Sequence, residues 1–133
     1  MSTRRFGLFT YETAADVRDF RVERYLPPAA RNITLHKQAQ GFRARYTISE
    51  TELKSYLDDV WARYGDQSVT ERDGLSSGSR IDADYHRLVY GDLGWPHLPD
   101  AVAFSGPSAN SGTGFVVWFS LSEQTAYEHA GYW

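Results

Sequence analysis

Asp82, Asp84 and His86 stand at alternate positions in the run Asp82-Ala83-Asp84-Tyr85-His86. In an extended chain the three point the same way and offer two carboxylates and an imidazole to one cation. Wound into a helix they diverge, and Asp82 becomes an N-cap for the turn that follows. The remaining histidines, His36, His97 and His129, are scattered, with no H-E-x-x-H or H-x-H spacing to complete a zinc site. The sequence therefore assigns no metal and no cofactor, and Asp82, Asp84 and His86 stay as candidate ligands only.

Nucleophilic chemistry finds no better footing. With no cysteine, thiol nucleophiles, thiolate zinc sites and disulfide scaffolds are all excluded. No serine occupies a G-x-S-x-G elbow, and a Ser/His/Asp triad is assembled in space, where sequence neither supplies nor removes it. The Gly106–Gly114 stretch, GPSANSGTG, lacks the G-K-[ST] ending of a phosphate loop and precedes a strand rather than a helix, so it reads as a hairpin-type loop. Asp58-Asp59 falls on the polar side of a helix, where solvation accounts for it.

Recognition chemistry is better supplied. If the strands alternate regularly, His36, Arg43, Arg45, Trp118, Tyr127 and His129 share one sheet face. Such a cationic-aromatic surface suits a small ligand or a sugar, with hydrolysis within reach. The plainer expectation for the same residues is a solvated or loop-covered side of an antiparallel sheet. Trp95, between Gly94 and Pro96, together with Trp133, is placed to anchor a partner or a sugar ring, or to plug the end of a small core. Tyr85 joins Trp95 and Tyr127 as an aromatic anchor for a protein partner.

The element that must hold these residues is Phe42–Gly65, FRARYTISETELKSYLDDVWARYG. Phe42, Ala44, Tyr46 and Ile48 alternate with Arg43, Arg45 and Thr47 as in a half-buried strand. Ser49 and Glu52 then form a capping box. Leu53, Tyr56, Leu57, Val60, Trp61 and Tyr64 make one apolar stripe on a helix over 49–64, and Gly65 is placed to end it in a left-handed conformation. Upstream, a short strand is expected at 6–11, a short helix or extended segment at 16–26, and a strand at 32–39 paired to the next through Gln40-Gly41. Downstream come a polar Gly/Ser-rich loop at 66–80, one or two helical turns within 81–90, an irregular Pro-containing segment at 92–99, and strands at 101–105, 115–121 and 125–130. The sum is an α+β fold: a mostly antiparallel sheet of about five strands with one amphipathic helix, 49–64, packed on one face. No repeat or boundary divides the chain, so residues 1–133 read as a single domain.

Composition sets the outer limits. With 41% hydrophobic and 23% charged residues in 133, the chain has the make-up of a globular domain with a real core. A net charge of −3 argues against a nucleic-acid binder that works by bulk phosphate neutralisation. No stretch approaches the roughly 20 apolar residues that span a bilayer, and MSTRRFGLF lacks the apolar run of a secretory signal, so the default expectation is cytoplasmic.

Three segments, Leu26-Pro27-Pro28-Ala29-Ala30-Arg31-Asn32-Ile33, Ala44-Arg45-Tyr46-Thr47-Ile48-Ser49, and the ending Thr125-Ala126-Tyr127 with Gly131-Tyr132-Trp133, resemble an uncharacterised group of small bacterial domains. Its pattern is LPxxAxxI, then ARFTIS, then a closing hairpin with an aromatic end. The resemblance implies a single bacterial-type domain and carries no catalytic residue. In size, acidity and lack of cysteine the chain also resembles immunity proteins that neutralise a toxin. The expected function is accordingly a non-catalytic binding protein with a protein partner, of immunity or inhibitor type. The alternative is a small-ligand or carbohydrate domain using Arg43, Arg45, Trp118 and His129, which requires those side chains to converge on a pocket of roughly 300 Å3 or more.

Overall fold

The computed structural model describes residues 6–68, 72, 80–108 and 114–131. The helix anticipated in the middle of the chain is α2 (Glu50–Tyr64), and its capping box is formed: Glu52 N–H donates to Ser49 Oγ at 3.1 Å and Ser49 N–H to Glu52 Oε1 at 3.2 Å. Leu53, Leu57 and Val60 are buried and Tyr56 and Trp61 partly so, but Tyr64 lies outside the stripe and is exposed. Gly65 does not take the left-handed conformation. It stays right-handed (φ −60°, ψ −33°), and the chain tightens into a 3-10 turn at Gly65–Gln67 closed by Ser68 N–H to the Gly65 carbonyl.

Six strands, β1 (Gly7–Thr13), β2 (Arg31–Gln38), β3 (Gly41–Thr47), β4 (Val102–Ser105), β5 (Gly114–Ser120) and β6 (Thr125–Gly131), form one antiparallel sheet in the order β1-β2-β3-β6-β5-β4. Two three-stranded meanders thus meet along the β3–β6 pair. The N-terminal segment is a full edge strand, which raises the count above the five expected. Two further helices are present besides α2. Asp19 caps α1 (Phe20–Glu23) by accepting from Arg21 N–H at 3.1 Å, and Asp82 caps α3 (Ala83–Tyr90) by accepting from Tyr85 N–H at 2.8 Å.

Helices cover both faces, not one. On the first face α1 and α2 bury Ile33, Leu35, Phe42, Ala44, Tyr46, Phe115, Val117, Phe119 and Ala126 with Val22, Leu26, Leu53 and Leu57. Trp61 Nε1–H donates to the Ser105 carbonyl at 3.0 Å and fixes α2 over the β4 edge. On the second face α3 and the irregular segment after it close over β4, β5 and β6, burying Ile81, Tyr90, Trp95, Ala101, Ala103, Trp118 and Tyr127. The β1 end of that face stays open, with Leu8, Thr10 and Glu12 exposed. Among the described residues no helix is long and apolar enough to cross a membrane.

Candidate binding face

Strand register puts the anticipated residues in two rows across the second face. One row runs Leu8, His36, Arg43, His129, Val116; the next runs Thr10, Thr34, Arg45, Tyr127, Trp118, Ala103. The shared face is therefore as alternation predicts. Its accessibility is not: Trp118 is 2% exposed and Tyr127 1%, because α3 lies over them.

What covers them is an aromatic stack. Tyr90 from α3 meets Trp118 edge-on at 5.1 Å between ring centroids and stacks on Trp95 at 5.5 Å, while Trp95 stacks on Tyr127 at 5.6 Å. The Tyr127 hydroxyl and the two histidine rings beside this stack are used internally. Tyr127 donates its hydroxyl to the Pro96 carbonyl at 2.7 Å, His86 Nε2 bonds the Trp95 carbonyl at 2.7 Å, and His97 Nε2 bonds the Ile81 carbonyl at 2.7 Å. Trp95, Trp118 and Tyr127 consequently form a second core and offer no ring to a partner.

Arg43 sits where the covered and open halves meet. Its guanidinium forks onto Asp92, with Nη1 to Oδ1 at 2.7 Å and Nη2 to Oδ2 at 2.9 Å. It also donates to the Val89 carbonyl at 2.8 Å and lies 3.1 Å from His36 Nδ1. This clamp ties the end of α3 to β3. The Arg43 hydrogen bonds hold the Asp92 carboxyl below its ordinary range, while burial and then the Arg43 charge push His36 down. His129, on the other side of Arg43, shares a 2.9 Å hydrogen bond with the Tyr90 hydroxyl. Burial first, and the Arg43 charge second, bring it down to about 4, so it is a neutral imidazole at pH 7.

Arg45 is the cation of this face with a free head among the described residues, lying 6.0 Å over the Tyr127 ring. Beyond it, towards β1, is an open depression of about 280 Å3 lined by Thr10, Tyr11, Glu12, Asn32, Ile33 and Thr34. None of Arg43, Arg45, Trp118 and His129 lines it, so the four do not converge on a pocket. Asp82, Asp84 and His86 do not converge, because the chain there is helical: Asp82 caps it, Asp84 pairs with Arg87 at 3.3 Å in solvent, and His86 points into the second core. Trp133 lies outside the described residues.

Two residues escaped the sequence reading. Leu88 is 80% exposed, beside Tyr85 at 48%. The signal was there once Asp82 is taken as N-cap, since His86 and Tyr90 then define the inner side of α3 and position 88 falls opposite. Glu128 is the second. It is fully buried on the first face, accepting from the Tyr46 hydroxyl at 2.7 Å through Oε1 while Oε2 has no partner. Its position between Ala126 and Ala130 in the alternation marks it as inward-facing. Comparison of the chain with protein-family models, with curated proteins and with solved structures finds no match.

Proposed function

We propose that this protein is a non-catalytic binding domain whose partner is another protein, in the manner of an immunity or inhibitor protein. The observation that carries the reading is the outer side of α3, where Leu88 stands in solvent and Tyr85, half-exposed with its ring packed on Trp118, borders it, although the other side of the same short helix is fully buried. Large apolar side chains ringed by Asp84, Arg87 and Asp92 have the make-up of an interface centre with a charged rim. Of the anchors expected from sequence, Tyr85 keeps that role. Trp95 and Tyr127 pass to the core, and Leu88 takes their place. The net charge of −3 favours a partner of opposite sign.

The test is affinity capture from the source cells, followed by titration of the purified partner against wild type, Tyr85→Ala and Leu88→Glu. Each substitution should weaken binding about tenfold or more, equivalent to at least ~1.4 kcal/mol, and the urea unfolding midpoint should hold in Leu88→Glu, whose side chain is 80% exposed. Unchanged affinity in both variants would sink the reading.

A second reading rests on the open depression beside Arg45. Its hydroxyl, amide and carboxylate lining from Thr10, Thr34, Asn32 and Glu12 suits a small polar ligand such as a sugar. Binding to a glycan panel that survives Leu88→Glu and is lost in Glu12→Ala would favour it over the protein partner.

A further inference from the structure

A carboxyl group at the middle of a helix-covered sheet, with one hydrogen bond and no cation beside it among the described residues, calls for an explanation that neither packing nor the binding reading provides. Glu128 lies on β6 directly opposite Ala44 of β3 and Val117 of β5, so it occupies the seam where the two meanders meet, on the face roofed by α2. Among the described residues the titratable groups that interact with it are all tyrosines, two on its own face and one across the sheet. Tyr46 comes from β3 with its hydroxyl donating at 2.7 Å, Tyr56 from α2, and Tyr90 acts from α3 through the sheet. Among the described residues no lysine, arginine or histidine offsets a charge there. Oε2 has no donor at all. An ionised carboxylate in that position would be a buried charge without a counter-charge, whereas the neutral acid is tolerated.

We propose that Glu128 is a protonation latch: as a carboxylic acid it lets α2 seat on the sheet, and loss of its proton to solvent releases α2. α2 is the element to yield because Tyr56 and the Leu53–Leu57–Val60 stripe form the roof over this face, while β3 and β5 hold the acid by continuous ladders. The α2 roof is tied down by the Tyr56 hydroxyl bond to the Arg24 carbonyl at 3.3 Å, by Trp61 on Ser105, and by a half-exposed Arg31–Glu52 ion pair at 3.6 Å. Burial raises the Glu128 carboxyl well above its ordinary value of 4.5. Opening exposes it and restores that value. The population of the opened form then grows with pH, about tenfold per unit between the two values.

Hydrogen exchange from pH 5 to 9, each rate divided by the intrinsic rate of that amide, tests the latch. In the wild type, α2 amides should be at least about tenfold less protected than those of β3 and β6, and should lose protection about tenfold per pH unit. Glu128→Gln keeps the size and neutrality of the acid and should make α2 protection independent of pH. Tyr46→Phe removes the phenol but leaves the acid, and should retain the slope. A protonated-carboxyl infrared band at pH 7 should be present in the wild type and missing from Glu128→Gln. The proposal fails if Glu128→Gln keeps the wild-type slope, if the wild type shows none, or if that band is absent. It also fails if α2 and the sheet exchange with one common protection, since the acid then acts on the whole fold and not on α2.

Discussion

Arg43 and Trp118 are separated by one strand of the same sheet face, yet they do different work. Arg43 is held in a clamp on Asp92, Val89 and His36, and Trp118 is roofed by Tyr90 and Tyr85. Truncation of Trp118 leaves a void among Tyr90, Tyr127 and Ala103 that the rigid sheet does not close. Trp118→Ala should therefore cost ~3–5 kcal/mol in urea unfolding. A loss below ~1 kcal/mol would show that the second core is loosely packed. The residue scale also shows where sequence stops being informative. Alternation in β3, β5 and β6 places Arg43, Arg45, Trp118, Tyr127 and His129 on one face, because side-chain direction in a strand is a local property. Whether that face is open depends on α3 and the segment 91–101, which are brought over it only by tertiary contacts. No pattern within the strands records the cover.

At the scale of elements, α2 is legible at its start and loses clarity at its finish. Ser49 and Glu52 specify the first turn through two reciprocal hydrogen bonds within four residues, so local sequence suffices. Ser49→Ala should destabilise the protein by ~1 kcal/mol, visible as a lower urea midpoint with an unchanged slope. A change in slope would mean that the first turn frays without the cap. The helix end is different. Gly65 permits the left-handed turn but does not demand it, and the chain continues right-handed into Gly65–Gln67. α3 was half legible for a related reason. Asp82 marks its start, but the inner residues His86 and Tyr90 are polar-tipped, so the buried side does not stand out as an apolar stripe.

For the molecule as a whole, β6 places two abnormal titrating groups at adjacent positions on opposite faces. Glu128 is raised well above 4.5 by burial, and His129 is lowered from 6.5 to about 4 by burial and Arg43. Their effects on stability have opposite signs. Between pH 4.5 and 6.5 the folded chain carries a proton on Glu128 that the unfolded chain has lost. Over the same range the unfolded chain carries one on His129 that the folded chain lacks. The two differences cancel, so this pair leaves stability nearly flat there, with His36 adding a slope of the same sign as His129. Above pH 6.5 only Glu128 still acts, and stability should fall as pH rises, by ~1.4 kcal/mol per unit until the folded-state acid ionises. Each neutral substitution should expose the other limb. Glu128→Gln should lose stability only on acidification from 6.5 towards 4, by roughly 3 kcal/mol in total. His129→Gln should lose stability as pH rises from 4.5, most steeply above 6.5 where His36 no longer opposes Glu128. Urea midpoints at pH 4.5, 5.5, 6.5 and 8 for the three proteins decide the matter. A wild type that keeps gaining stability from pH 6.5 to 8 would mean that Glu128 is already ionised in the fold. Such a result would require a donor at Oε2, and α2 would then be held down by a charge and not released by one.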